Sequence, residues 1–159
     1  MLALIGEYDC KLDSKGRFLM PAGLRKQLPE DQQNEFIVNR GLDKCLVLYP
    51  ISVWEQELER IQSRNQYVRK NRAFTRMFLN GATRVELDSS GRVLLPKRLM
   101  EYAGLDKDLM LVPQIDKVEI WDQAAYDKWM QEPDYDFEKL AEEVMAGLPD
   151  SDEDEGGDA

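Results

Sequence analysis

Residues 12–21 read Leu-Asp-Ser-Lys-Gly-Arg-Phe-Leu-Met-Pro, and residues 87–96 read Leu-Asp-Ser-Ser-Gly-Arg-Val-Leu-Leu-Pro. Most positions of the two stretches are identical when residue 12 is aligned with residue 87. The same alignment matches Gly6 with Gly81. Self-similarity at a fixed separation indicates a duplicated structural unit. One module of chain therefore occurs twice.

Each copy predicts two short strands joined by a tight turn, then a helix and two more strands. Asp at the first position and Gly at the fourth favour a type I turn. Apolar residues on both sides of the turn indicate strands, and Pro21 and Pro96 mark the helix starts. The later strands are predicted over residues 35–38, 45–49, 109–112 and 118–121. The fold class is therefore α+β, with modules of ββαββ order.

Helical periodicity predicts a helical stretch from residue 51 to about residue 80, between the two modules. A further helix is predicted over residues 123–131, with Trp129 facing inward, and a short one over residues 137–145. The acidic, Gly-containing composition of residues 149–159 predicts a disordered end. The predicted segments are module 1 over residues 1–54, a basic linker helix over 55–80, module 2 over 81–131 and an acidic C-terminal tail over 132–159.

Charge is unevenly distributed along the chain. The net charge is −10, but residues 132–159 hold 12 acidic residues and a single base, Lys139. Residues 1–131 carry 20 bases and 19 acids, a net charge of +1. Such asymmetry is typical of an acidic tail attached to a domain of different charge. The acidic total therefore does not exclude nucleic-acid binding by the body of the chain.

Composition and motifs argue against an enzyme. The chain has no histidine, which excludes histidine triads, histidine general bases and histidine metal ligands. Cys10 and Cys45 are too few for a disulfide scaffold and are interpreted as small core residues. Gly-rich phosphate loops, Cys-x-x-Cys pairs and nucleophile elbows are missing from the sequence. We expect no catalytic residues, no metal site, no cofactor and no small-molecule substrate.

The sequence also argues against a membrane protein. Its longest apolar runs are four or five residues, far below the ~20 that a membrane span needs. The opening residues are too short for a signal-peptide core. The expectation is a soluble intracellular protein with no membrane partner.

Two Asp-x-x-x-Arg pairs, Asp13 with Arg17 and Asp88 with Arg92, admit two interpretations. In a purely structural one, the aspartate caps the turn and the arginine folds back on it as an ion pair. In a functional one, hairpin tips present Arg17, Lys15 and Arg92 to phosphates or to a guanine edge. A two-stranded ribbon fits a major groove. Because a basic tip occurs twice, we favour a device that reads a repeated target.

The linker carries six bases and no acid between residues 60 and 76. A run of this kind is often a solvated helix face, but it can also form salt bridges with a neighbouring subunit or contact phosphates. Trp54, Trp121 and Trp129 are interpreted as core or subunit packing rather than as platforms for stacking bases.

The chain closely resembles the bacterial MraZ family. The likeness rests on three stretches: Gly6-Glu7-Tyr8; Leu12-Asp13-Ser14-Lys15-Gly16-Arg17 with Pro21; and Leu87-Asp88-Ser89-Ser90-Gly91-Arg92 with Pro96. It extends over residues 1–131. The resemblance implies an α+β fold of tandem duplicated swapped-hairpin, SpoVT-AbrB-like β-barrel modules with flanking helices, assembled into a ring-shaped homo-oligomer.

The same resemblance implies a function. Members of the family regulate transcription on the nucleoid, in the cytoplasm. The expected role is that of a repressor of the division and cell-wall gene cluster, its own promoter included. The expected target is a set of short G-rich direct repeats in double-stranded promoter DNA.

Carried over residue by residue, the DNA-contacting loop of the family falls on Lys15, Gly16 and Arg17, with Arg92 as the counterpart in the second module. Asp13, Asp88 and Gly91 complete the motif. Ser90 stands where the first module has Lys15, so the second loop is expected to make the weaker electrostatic contact. The long acidic tail is not explained by the family pattern.

Two hypotheses of different class remain. The leading one is sequence-specific DNA binding. The alternative is a protein-interaction or scaffolding module, in which the tips and tail recruit a partner and DNA binding is incidental. Short G-rich repeats just upstream of the gene would favour the first.

Overall fold

A computed structural model describes residues 2–146, and its mixture of helices with an antiparallel sheet confirms the α+β class. The disorder predicted for residues 149–159 falls outside the described residues. Along the described chain the strands are β1 (Tyr8–Lys11), β2 (Arg17–Leu19), β3 (Glu35–Arg40), β4 (Leu46–Pro50), β5 (Thr83–Glu86), β6 (Arg92–Leu94), β7 (Asp108–Gln114) and β8 (Lys117–Asp122). The α-helices are α1 (Ala22–Arg25), α2 (Ile51–Gln62), α3 (Arg69–Leu79), α4 (Lys97–Ala103), α5 (Gln123–Gln131) and α6 (Phe137–Met145), and a short 3₁₀ helix covers Glu30–Gln32.

Strands of the two repeats exchange partners in a six-stranded sheet of order β1-β7-β8-β4-β3-β5. β1 of the first repeat pairs antiparallel with β7 of the second, and β5 of the second pairs antiparallel with β3 of the first. β4 and β8 join the two halves at the centre of the sheet. The exchange is reciprocal because β1 and β5 are equivalent strands of the two repeats. Both repeats consequently lie in one compact unit that ends at Tyr126.

β2 and β6 form a separate two-stranded antiparallel ribbon, with one strand from each repeat. The sequence predicts strands on both sides of each turn, and the structure confirms them. Each strand, however, finds its ladder partner in the other repeat. At the centre of the ribbon Phe18 lies opposite Val93, and both side chains are fully buried. Burial of this pair requires both copies, so the hydrophobic core itself favours exchange over two separate hairpins.

Helices α1 and α4 begin directly after Pro21 and Pro96, as the repeat predicts. Leu24 and Leu99, at equivalent positions in these helices, are buried in the main core. Helix α4 ends at Gly104, whose φ of +61° is the left-handed conformation that favours glycine. Pro and Gly therefore set the limits of α4 as local signals.

The helical stretch predicted over residues 51–80 forms two helices, so the expectation of one linker helix is wrong. Helix α2 ends at Gln62 and helix α3 begins at Arg69. Between them, the Asn65 side chain accepts a hydrogen bond from the backbone N–H of Tyr67 (2.9 Å), and the Asn65 carbonyl accepts one from Val68 (3.2 Å). Asparagine competes in this way with the helical hydrogen bonds of its own backbone.

Two smaller clusters of buried residues flank the main core. Trp54 packs with Tyr49 in one cluster and stacks on Phe78 of α3 at a ring distance of 5.9 Å. Trp121 packs against Tyr126 in the other at 5.7 Å. Core packing of these two tryptophans is thus confirmed. Trp129 is not inward: it is 42% exposed, and Tyr126 is the buried residue of α5.

Both cysteines are free and buried, which confirms their interpretation as core residues. Burial raises the pKa of Cys10 to about 11, with a further contribution from the charge of Asp9. Burial likewise raises the pKa of Cys45. A thiol with a raised pKa carries little of the thiolate that reacts, so neither cysteine has the environment of a nucleophile.

The second compact unit begins at Asp127 and includes α6. The Asp136 side chain caps α6 by accepting a hydrogen bond from the backbone N–H of Lys139 (3.3 Å). A helix over residues 137–145 is therefore confirmed. Within residues 2–146, the helices are all too short or too polar to cross a lipid bilayer.

Candidate nucleic-acid interface

The first Asp-x-x-x-Arg motif forms a tight turn between β1 and β2. The backbone N–H of Gly16 donates to the carbonyl of Asp13 (3.1 Å), and the N–H of Asp13 donates to the carbonyl of Arg17 (2.8 Å). Gly16 has a φ of +83°, a conformation open to glycine at little cost. A Cβ at this position would also meet the Met100 side chain at 2.9 Å. Gly16 is buried, so its role is to shape the tip.

The second motif repeats this geometry almost bond for bond. The N–H of Gly91 donates to the carbonyl of Asp88 (2.9 Å), and the N–H of Asp88 donates to the carbonyl of Arg92 (2.9 Å). Gly91 has a φ of +80°. The turns predicted from Asp at the first position and Gly at the fourth are therefore confirmed in both copies.

Each aspartate holds its turn through its own carboxylate. Oδ1 of Asp13 accepts the backbone N–H groups of Lys15 and Arg17, both at 2.9 Å. In the second copy, Oδ1 of Asp88 accepts the N–H groups of Ser90 and Arg92, again at 2.9 Å. Two N–H donors on one oxygen stabilise the ionised carboxylate and define the direction in which the following arginine leaves the turn.

The same hydrogen bonds lower the pKa of both carboxyl groups. For Asp13 the largest cause is the backbone N–H of Arg17, and the Arg17 side chain and the N–H of Lys15 add to it. For Asp88 the largest cause is the backbone N–H of Arg92, followed by the N–H of Ser90 and the charge of Arg17. Both aspartates are consequently ionised at neutral pH.

Arg17 is the arginine that the carboxylates hold. Its Nε donates to Oδ2 of Asp13 at 2.8 Å, and its Nη1 lies 3.9 Å from Oδ2 of Asp88 in the other repeat. The ion pair of the purely structural interpretation is thus present. The hydrogen bond that the described structure gives between this side chain and the aspartates is made by Nε. An arginine oriented through Nε still has donors with which to recognise another group.

Arg92 differs from Arg17 although its turn is equivalent. Its backbone N–H bonds to Asp88, but among the described residues its side chain forms neither a hydrogen bond nor an ion pair. The expected asymmetry between the two loops therefore has a second component. The first loop carries the extra lysine, Lys15, exposed at its tip where the second has Ser90, and it also carries the more firmly oriented arginine.

The two arginines share one face of the β2–β6 ribbon. In the register of this ribbon Arg17 lies opposite Leu94, and Leu19 lies opposite Arg92. Opposite residues, and residues two apart along a strand, project to the same side of an antiparallel pair. One face therefore presents Arg17 and Arg92 on a diagonal, with Leu19 and Leu94 on the other diagonal, while Phe18 and Val93 point into the core.

This face is accessible and chemically mixed. Leu19 and Leu94 are each 56% exposed. A groove of about 400 Å³ lies beside Leu19 and is lined by Leu19, Arg17 and Arg92 together with residues of β1 and the first turn. The surface can donate charged hydrogen bonds from two arginines and make apolar contact through two leucines.

The sequence predicts Arg17 and Arg92, with Lys15 at the adjoining turn, as candidate contacts, but it does not identify Leu19 and Leu94 as part of this surface. Their signal is present in the sequence, because the two leucines occupy equivalent positions of the two repeats. They resemble ordinary core residues of a strand until the pairing of β2 with β6 places them on the exposed side.

Comparison with known proteins gives a consistent result over nearly the whole chain. A family model described as "MraZ protein, putative antitoxin-like" matches twice, over residues 3–77 and 78–146. A protein of Christiangramia forsetii named transcriptional regulator MraZ is 42% identical over 146 residues, which cover 91% of this chain and 94% of the relative. Proteins of the same name from Flavobacterium psychrophilum and Natranaerobius thermophilus are each 40% identical, covering 94% and 89% of this chain and 96% of each relative.

Proposed function

Because the chain belongs to the MraZ family, we propose that it is a sequence-specific DNA-binding regulator of transcription. Its similarity to proteins named transcriptional regulator MraZ supports the general role. The observation that carries the proposal for this chain is the shared face of the β2–β6 ribbon, on which two equivalent Asp-x-x-x-Arg turns present Arg17 and Arg92.

A two-stranded antiparallel ribbon is narrow enough to enter the major groove of B-DNA. An arginine that projects from it can donate two hydrogen bonds to O6 and N7 of guanine, which is the commonest specific contact in this groove. Arg17 is the first candidate for that contact, since Asp13 and Asp88 orient its guanidinium. Arg92 is the equivalent group of the second repeat.

The other motif residues take supporting roles in this proposal. Lys15, exposed at the first tip, supplies a charge to a phosphate and carries no base information. Asp13 and Asp88 position the tips and the arginines, and Gly16 and Gly91 permit the turn. The second loop, with Ser90 in place of lysine, contributes less to the attraction of phosphates.

The finer features implied by the resemblance belong to the same proposal. The target is a set of short G-rich direct repeats upstream of the division and cell-wall gene cluster, and binding at the protein's own promoter represses it. The protein acts on the nucleoid, in the cytoplasm. The two modules are swapped hairpins of the SpoVT-AbrB-like barrel type, which the reciprocal pairing of β1 with β7 and of β5 with β3 supports.

Self-association is a further part of the proposal. Residues 1–131 have a net charge of only +1, so a single subunit has little long-range attraction for DNA. A ring-shaped homo-oligomer offers several ribbons to adjacent repeats, and linked sites bind together far more tightly than each binds alone.

A gel-shift titration tests the proposal, with the gene's own promoter fragment as probe and a scrambled fragment of equal length as competitor. The proposal requires retention of the promoter complex at an excess of scrambled competitor. Equal competition by both fragments at several salt concentrations would contradict sequence-specific binding.

One observation favours the alternative, a protein-interaction module. Leu19 and Leu94 are apolar and 56% exposed, and exposed apolar residues are also found where proteins meet. On DNA the same leucines can contact the methyl group of thymine or the sugars. Substitution of both leucines separates the two functions, because DNA binding and assembly can be measured independently.

A further inference from the structure

Helix α3 carries an apolar stripe that is largely exposed within the described residues, although Phe74 stacks on Phe78 of the same helix at 5.7 Å. None of its residues is fully buried, although it carries Phe74 and Phe78. Phe78 packs inward against Trp54. Phe74 remains 51% exposed and Met77, three residues further on the same side, is 66% exposed. Helix α3 therefore packs against the chain through Phe78 and exposes an apolar stripe that contains Phe74 and Met77.

Helix α6 has an apolar face of the same kind. Phe137, Leu140, Ala141 and Val144 follow the spacing that places residues on one side of a helix. Phe137 is 84% exposed and Val144 is 58% exposed. A nine-residue helix gains little stability by itself in water. Its apolar face therefore indicates a helix that is stabilised by docking.

The two helices carry opposite charges. Helix α3 has four bases and no acid, whereas residues 134–145 have five acids and one base. On α3, Arg69 and Arg76 lie seven residues apart on the side of the helix next to Met77. On α6, Glu138 and Glu143 border the apolar face on its two sides. Each helix therefore presents an apolar stripe edged by charges that complement those of the other.

We propose that α6 of one subunit docks on α3 of a second copy of this chain. Phe137, Leu140 and Val144 would cover Phe74 and Met77, while the flanking glutamates face the arginines. The apolar stripes on both helices are exposed, and the complementary charges along their margins favour a second copy of the chain as the occupant of each. Opposite charges at the margins set the orientation of such an encounter and disfavour pairing of two like helices.

This contact joins different surfaces of the two subunits, so it is a head-to-tail contact. Each subunit offers one α3 and one α6, and contacts of this type close into rings or extend into filaments. The inference rests on the self-association in the proposed function and specifies the surfaces that produce it. It does not depend on the DNA-contacting ribbon.

Charge reversal tests the contact on the full-length protein. One variant carries Arg69→Glu and Arg76→Glu, and a second carries Glu138→Lys and Glu143→Lys. Arg69 and Arg76 form neither a hydrogen bond nor an ion pair among residues 2–146, so their reversal removes no such contact from the described chain. A matched control for the first variant, Lys26→Glu with Lys44→Glu, makes the same change of net charge at exposed positions outside both helices.

Molar mass is measured by light scattering after size-exclusion chromatography, and helix content by circular dichroism. We expect the wild type and the control to be oligomeric. Each reversed variant alone should fall to the mass of one subunit, 18.4 kDa, with unchanged helix content. Mixing the two reversed variants restores complementary pairs, so an assembly with equal numbers of each should form.

The outcomes distinguish self-association from the particular contact. If the wild type is a monomer at every concentration, the proposed self-association fails and the contact fails with it. If both reversed variants remain oligomeric, or if only one loses assembly, self-association stands and the α3–α6 contact is overturned. Monomers that do not reassemble on mixing also overturn it, since docking within one chain or on another partner would give that result.

Discussion

Nη1 of Arg17, in the first repeat, lies 3.9 Å from Oδ2 of Asp88, in the second repeat. This contact connects two motifs that are distant in sequence and flank paired strands. The same guanidinium is fixed by Asp13 in its own turn. The two Asp-x-x-x-Arg motifs therefore form a single charged surface, in which one arginine is oriented by a carboxylate from each repeat.

Substitution of Lys15 by serine makes the first tip resemble the second. If Lys15 contacts a phosphate, Lys15→Ser should weaken binding to promoter and scrambled DNA about equally. The slope of the logarithm of affinity against the logarithm of salt should flatten by ~0.9 for each phosphate that the variant no longer neutralises. Fluorescence anisotropy at four salt concentrations measures both quantities. A fall in discrimination at constant slope would instead assign Lys15 to base recognition.

Asp13→Asn tests whether the carboxylate positions Arg17. Asparagine keeps an oxygen that can accept the N–H groups of the turn but removes the charge that pairs with the guanidinium. We expect a rise in affinity for scrambled DNA, since a negative charge is removed, and a fall in the ratio of promoter to scrambled affinity. An equal rise for both DNAs would show that Asp13 acts through charge alone.

The lowered pKa values of Asp13 and Asp88 predict how the two turns respond to acid. A carboxyl group whose pKa is lower in the folded than in the unfolded protein stabilises the folded state. This stabilisation is fully present at pH values above the ordinary pKa of the group, 3.8. That stabilisation is lost as the pH falls through the lower, folded value. The amide resonances of Lys15 and Ser90 should therefore shift with midpoints below pH 3.8, the ordinary aspartate value, and Asp13→Asn should remove the transition at Lys15. Midpoints at or above 3.8 would contradict the hydrogen bonds of the two turns.

The double variant Leu19→Ser and Leu94→Ser tests the apolar half of the ribbon face. Both side chains are exposed, so the free energy of unfolding should change by no more than about 0.5 kcal/mol for each. Leu42→Ser is the matched control, because Leu42 is 91% exposed on a loop outside the ribbon. We expect weaker promoter binding by the ribbon variant alone, with its molar mass unchanged. Loss of assembly with DNA binding intact would assign the leucines to a protein interface.

Local signals account for the features that the sequence predicts correctly. Asp13 and Gly16 predict the first turn because their side-chain and backbone preferences act within a single turn of chain. Pro96 and Gly104 limit α4 for the same reason. The hydrophobic patterns likewise predict most strands, and Lys15, Arg17 and Arg92 are exposed or partly exposed at the tips.

The remaining features depend on contacts between distant residues. Local sequence patterns do not specify that β2 pairs with β6, so the exposed positions of Leu19 and Leu94 could not be predicted. Asn65 interrupts the linker helix through hydrogen bonds that compete with helical periodicity. Hydrophobic periodicity does not predict the exposure of Trp129, because it does not show how far along α5 the packing against the core continues.

The central claim is that Arg17 reads the promoter sequence, and one measurement tests it most directly. Affinities of the wild type, Arg17→Ala and the control Arg84→Ala are measured on promoter and scrambled DNA. Arg84 is an exposed arginine paired with Glu35 outside the ribbon. We expect Arg17→Ala to lose about 1–3 kcal/mol of discrimination per subunit, with normal circular dichroism and with Arg84→Ala unchanged. Undiminished promoter preference in a folded Arg17→Ala protein would contradict the claim, and a variant that fails to fold would show that the ion pair with Asp13 is structural.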